Sequence, residues 1–240
     1  MSKRSGGLTT YNIREGFRSE YLAHFAFSAF GPSNPIQRED DFGLDLICNL
    51  SEQEGKMLII KSTYGVQVKS KGAEFKYKGK QATEWLSSLE FPVLFAEVSK
   101  EEFLIKIYSC WNINRYLLGL NLSDKESYPE EITFTTEENE VSELPFPDLE
   151  KGIIPLGHPI INCKISDLTN QEIRTKFWEI LKEWLEFDNE NYKNRRAGAS
   201  LSFGYTSWKT NEPLSRSLRV WNKQYYYSPQ KTVEQKKLLY

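Results

Sequence analysis

Histidine is nearly missing from this chain: only His24 and His158 occur in 240 residues. That scarcity argues against a histidine-rich metal centre and against hydrolysis built on a catalytic imidazole. Cysteine is almost as sparse. Cys48, Cys110 and Cys163 are odd in number and far apart, which excludes a zinc-type spacing and a disulfide framework, so the three are read as reduced, buried small hydrophobes. No apolar run approaches the roughly 18 residues of a membrane span. The opening MSKRSGGLTT lacks the apolar stretch of a signal peptide. These absences predict a cytoplasmic protein with no membrane contact. What is present, 39% hydrophobic residues and 14% aromatics, excludes a disordered chain. The length suits one good core with an extension, or two small domains.

The net charge of -2 hides an uneven distribution. Residues 1–120 carry 15 Lys/Arg against 14 Asp/Glu, residues 121–190 carry 6 against 17, and residues 191–240 carry 10 against 2. A basic tail after an acidic middle has two readings. Either the two attract each other, the patch around Glu130, Glu131, Glu137, Glu138 and Glu140 meeting the tail, or the tail contacts nucleic acid.

Periodicity orders the elements. YNIREGFRSEYLAHFAFSAFG predicts a first helix with Phe17, Tyr21, Phe25 and Ala29 on one apolar face and Leu22 beside them. From Leu44 the pattern alternates, SEQEG reads as a turn, and KMLIIKSTYGVQVKS gives one long strand or two short ones broken near Gly65. KGKQATEWLSSLE reads as a helix, FPVLFAEVS as a buried strand, EFLIKIYS as its antiparallel neighbour and CWNINRYLLGL as a short helix. A further long helix follows Asn170 as a candidate cap. The composition places a boundary near residue 120.

The stretch YGVQVKS is half-buried in pattern, yet its polar side carries Gln67 and Lys69, two residues apart on one strand face. With Asp45 on the neighbouring strand, about 4.8 Å away, a carboxylate, an amide and an ammonium converge if all three face the same way. A hard cation such as Mg²⁺ takes oxygen ligands and keeps several waters, so one carboxylate, one carbonyl-type oxygen and a substrate phosphate suffice. A lysine beside it offsets phosphate charge. This is a minimal set for phosphodiester hydrolysis without histidine.

DDFGLDLIC, read as Asp41-x-Gly43-x-Asp45, followed by VQVK, resembles the active-site signature of the PD-(D/E)XK nuclease superfamily. It is most similar to the Mrr-like restriction endonuclease branch, where glutamine replaces the acidic residue before the lysine. The resemblance covers residues 14 to 110 and includes FPVLFAEV; GFRSEY supplies Gly16 and Glu20 in positions matching that branch. It implies Asp45 as principal metal ligand, Lys69 as catalytic lysine, Gln67 as second signature position and Glu20 as helix-borne accessory ligand, with Mg²⁺ or Mn²⁺ bound. Asp41 and Gly43 shape the start of the strand. Gln67 departs from the commonest pattern, an amide being a weaker ligand than a carboxylate. The implied fold is α/β: a restriction-endonuclease-like mixed central sheet flanked by helices over residues 1–120, with an accessory region over 121–240. The implied function is metal-dependent DNA cleavage in bacterial restriction or anti-phage defence.

Each part has an ordinary explanation. A D-x-G-x-D run enters many turns, and an acidic residue on a helix margin is by default solvated. His24 reads as a packing or surface residue. Lys71, Lys76, Lys78 and Lys80 crowd beside Phe75 and Tyr77, as phosphate contacts or as a solubilising loop. Arg195 and Arg196, with the tail's aromatics, suit nucleic acid, a packed subdomain or an oligomer interface. The alternatives to a DNA nuclease are a degenerate nuclease-fold module that binds nucleic acid or a partner protein, and a nuclease acting on RNA or junctions.

Overall fold

A computed structural model describes residues 11–36, 43–120, 122, 124–136, 147–199 and 201. Asp41, Glu137, Glu138, Glu140 and the tail beyond 201 lie outside them. The described elements are α1 (Tyr11–Ser28), β1 (Ser33–Pro35), β2 (Leu46–Glu54), β3 (Met57–Ser70), β4 (Phe75–Lys78), α2 (Gln81–Ser88), β5 (Val93–Ser99), β6 (Leu104–Ser109), α3 (Trp111–Gly119), β7 (Glu131–Thr136), β8 (Ile153–Gly157), β9 (Ile161–Lys164) and α4 (Gln171–Ala197). No helix among the described residues is long and apolar enough to cross a membrane.

Nine strands divide into a mixed six-stranded sheet, ordered β1-β2-β3-β5-β6-β9, and a three-stranded sheet, β4-β7-β8. In the larger sheet only β3 and β5 run parallel, and the chain between them passes through β4 and α2, as a parallel pair requires a crossover. The alternation seen in sequence sorts the side chains. Leu46, Cys48, Val66, Val68, Leu94 and Ala96 face α1 and α4 in one core, with Ala23, Phe27, Leu181 and Trp184. Phe95, Tyr108 and Cys110 face the smaller sheet and α2 and α3 in a second, with Phe75, Leu86, Ile113 and Phe134. The protein is thus a mixed α/β molecule whose main sheet is covered on both sides.

Two expectations are corrected, and the choice left open at Gly65 falls to one long strand, β3. SEQEG is not a turn as a whole: β2 runs on to Glu54, and only Gly55 and Lys56 turn the chain back, Glu54 pairing with Met57. β3 does not break at Gly65. That glycine is there for space, because a Cβ would lie 2.6 Å from Leu44 and 3.1 Å from Phe91. In α1, Tyr21 and Phe25 are 67% and 55% exposed, and the buried face is Ser19, Ala23, Ala26 and Phe27.

Residue 120 does not separate two layers. β9 pairs with β6 in the main sheet and β7 pairs with β4 in the smaller one, so both sheets combine strands from either side of it. α4 begins at the expected cap, the Asn170 side chain accepting from the amides of Glu172 and Ile173.

Candidate functional site

The larger sheet opens where β2 begins. The β2–β3 ladder ends at Leu46 opposite Val66. Beyond it the odd-numbered residues of β3 face their amides toward β5 (Gly65 N–H to Pro92 C=O, 2.9 Å), while the Val68 amide faces the side that β2 no longer covers. Asp45 fills that position. Its backbone is fixed by its own N–H on Val66 C=O at 2.8 Å and by Ile36 N–H on its C=O at 2.9 Å. Its carboxylate Oδ2 accepts the Val68 amide at 2.6 Å and the Gln67 Nε2–H at 2.9 Å. Asp45 and Gln67 therefore face the same way, on the side of the smaller sheet.

Sequence reasoning missed the third member, Tyr77. Its hydroxyl lies 2.8 Å from Gln67 Oε1 and 2.7 Å from Gly43 C=O. Tyr77 belongs to β4, where it stands opposite Ile132 of β7, so the chain Asp45–Gln67–Tyr77 joins the two sheets. The ring is held against Trp85 (centroids 5.0 Å) and Phe134 (5.8 Å, edge-on). Gly43 has φ +86° and lies under the ring, where an added Cβ would come 2.5 Å from a ring carbon. The GLD of the motif thus makes room for an aromatic from the other sheet. No local pattern announces this, since the β4–β7 pairing spans more than fifty residues.

Lys69 stands two residues beyond Gln67 on the same face, beside Glu97 of β5 in register. Glu97 is opposite Lys106 of β6, with the ammonium 3.6 Å from its carboxylate. A row of charge therefore crosses three strands at the margin of the second core. Glu97 was also overlooked, although one signal existed: it is the single charge inside the buried strand VLFAEVS.

The remaining predicted residues are dispersed. Glu20 is half-buried on α1, the helix that covers the other face of the sheet; next to it, the Ser19 hydroxyl meets that of Ser70 at 2.8 Å. His24 is a packing residue, its Nε2 2.7 Å from Ser33 C=O. Lys71 pairs with Glu102 at 3.0 Å, Lys76 with Glu74 at 3.0 Å and Glu131 at 3.2 Å, and Lys80 with Glu126 at 2.9 Å. These pairs hold each ammonium's pKa above its ordinary value through the carboxylate hydrogen bonds. Lys78 is exposed on the outer side of β4. Arg195 turns inward, its Nε on Asn114 Oδ1 at 2.9 Å, while Arg196 pairs with Glu90 at 3.1 Å. The three cysteines are free and buried, and burial raises the Cys48 and Cys163 thiols to about 12, which leaves them unreactive.

Among the described residues no three His, Cys, Asp or Glu side chains gather as a metal cluster. The Asp45–Gln67 pair meets a different test. Ligands adjacent in an Mg²⁺ octahedron, at 2.0–2.1 Å from the ion, are about 2.9 Å apart, the separation of Asp45 Oδ2 from the Gln67 amide end. The positions fit; the amide presents its nitrogen rather than its oxygen. Comparison with known proteins finds no matching family model, no matching curated protein and no matching solved structure.

Proposed function

We propose that the protein is a metal-dependent endonuclease that hydrolyses DNA phosphodiester bonds at the open end of β2 and β3, in bacterial restriction or anti-phage defence. The observation that carries the reading is the contact of Asp45 with Gln67, 2.9 Å, with Lys69 next on the same strand face. Asp45 and Gln67 would hold a Mg²⁺ or Mn²⁺ ion, which supplies charge for the scissile phosphate and a more acidic water. Asp45 is pinned through its backbone and through Val68 N–H, so its carboxylate costs little reorganisation on binding. Lys69 places a cation where a phosphate oxygen gains negative charge in the transition state. Glu97 and Lys106 lie across from it, fixing the local charge balance.

Asp45→Ala in the full chain is expected to abolish Mg²⁺- or Mn²⁺-dependent cleavage of DNA with the circular dichroism spectrum unchanged. Lys69→Ala should lower the rate by several orders of magnitude while DNA affinity changes little, because only interactions stronger in the transition state accelerate chemistry. Cleavage by Asp45→Ala at the parental rate would remove the assignment.

One observation favours a second reading, a nuclease-fold module that binds nucleic acid or a partner and cuts nothing. Asp45 Oδ2 already accepts two N–H groups, as a carboxylate serving only to close a strand edge would. Tight binding by the parent, without cleavage of any DNA or RNA tried, would select it.

A further inference from the structure

Tyr77 faces a proton shortage. Its hydroxyl carries one hydrogen, yet two oxygens within 2.8 Å of it, Gly43 C=O and Gln67 Oε1, are both acceptors. With the Gln67 amide as placed, those two contacts share one hydrogen. Turning the amide over removes the conflict at Tyr77: Nε2 then donates to the hydroxyl oxygen, and the hydroxyl donates to Gly43 C=O. The two ends of a carboxamide are nearly the same size, so the turn needs no repacking around a side chain only 6% exposed. It moves the conflict to the other end, where Oε1 faces Asp45 Oδ2 across about 2.9 Å, lone pair to lone pair. A divalent cation relieves that repulsion and needs those two oxygens.

We infer that Tyr77 is a positioning residue that sets which end of the Gln67 amide faces Asp45, and that cation binding turns the amide over. This rests on the reading of Asp45 and Gln67 as cation ligands given above. Without a cation the charge-assisted bond from Nε2 to Asp45 holds the oxygen away. With one, the oxygen turns toward Asp45 and Tyr77 receives the nitrogen. The Tyr77 ring cannot follow the amide, because Trp85, Phe134 and the surface of Gly43 confine it. The amide is the moving part, and the tyrosine is its stop. A glutamine in place of an acidic ligand then acts as a site closed in the absence of metal, rather than as a weakened copy of a carboxylate.

The experiment uses the full chain, ¹⁵N-labelled, titrated with Mg²⁺ alone. The side-chain NH₂ pair of Gln67 is assigned as the one missing from Gln67→Glu. In the parent, Mg²⁺ should shift that pair. In Tyr77→Phe, which keeps the ring, the midpoint should rise about fivefold, the weight of one ordinary hydrogen bond. In the Gln67→Glu background, where no amide turns, Tyr77→Phe should change Mg²⁺ affinity by less than about twofold, measured by calorimetry. An NH₂ pair unmoved at saturating Mg²⁺, a parent that binds no Mg²⁺, or an unchanged midpoint in folded Tyr77→Phe overturns the inference. A parent that cuts DNA while the pair stays unmoved loses the amide turn and keeps the nuclease reading. A parent whose pair shifts with Mg²⁺ but which neither binds nor cuts DNA keeps the amide turn and loses the nuclease reading.

Discussion

Gly43 and Gly72 share a backbone conformation and differ in surroundings. Both have φ near +80°, but an added Cβ meets Tyr77 at 2.5 Å in the first and nothing within 4 Å in the second. Gly72→Ala is therefore expected to cost only the left-handed strain, about 1–2 kcal/mol. Gly43→Ala should cost clearly more in urea denaturation, since the ring has Trp85 and Phe134 behind it and cannot retreat. Equal losses would show that Tyr77 is not confined. The common facing of Gln67 and Lys69 was legible from a period of two, because strand geometry alone dictates it; that Asp45 joins them was not, because it depends on the register of β2 on β3. Tyr77 was not, because its position depends on β7, which arrives more than fifty residues later. The lysines after the motif were legible as charge but not as partners, since Glu102, Glu126 and Glu131 reach them from distant segments.

α1 shows how an element can be found while its face is misjudged. Two helical stripes compete in its sequence. Phe17, Tyr21 and Phe25 form the more aromatic one, and Ala23, Ala26 and Phe27 the one that is buried. Small residues decide the matter: alanine lets the helix axis approach β3 and β5, where aromatics at the same positions would hold it off. Phe27, 1% exposed and 6.0 Å from the Tyr64 ring, should cost about 3–5 kcal/mol on change to alanine. Phe25→Ser, on the exposed stripe, should stay within about 0.5 kcal/mol. Chemical denaturation of the two variants checks the orientation, and a reversed order would place the other stripe against the sheet. α4 was legible at its start because Asn170 caps it locally, while its reach to Ala197 was not, the last turns being held by long-range contacts such as Arg195 on Asn114.

Across the whole molecule, α4 also carries a buried charge into the junction of the layers. Asp188 accepts the Ser109 hydroxyl at 2.8 Å, and burial raises its pKa from 3.8 to about 7. Cys110 and Tyr192 beside it are pushed higher still by burial and stay neutral at these pH values. A folded pKa above the unfolded one means that the native state holds the proton more tightly. The stability it contributes is complete below about pH 4, falls as pH rises toward 7 by at most about 1.4 kcal/mol per unit, and is flat above. Asp188→Asn should remove that slope and exceed the parent in stability at pH 8; an unchanged slope in pH-dependent denaturation would assign it elsewhere. The sequence suggested a boundary near residue 120, but strand pairing ignores it. A chain ending at 120 lacks β7 beside β4 and β9 beside β6, and is expected to aggregate rather than fold, as size-exclusion chromatography would show. During translation, β6 is complete by Ser109, yet the strand that covers its outer edge is made only at Ile161–Lys164. At about 5–20 residues per second, that edge stays open for several seconds while the chain is still being made. For those seconds the same edge is a template on which a neighbouring nascent chain from one message can pair.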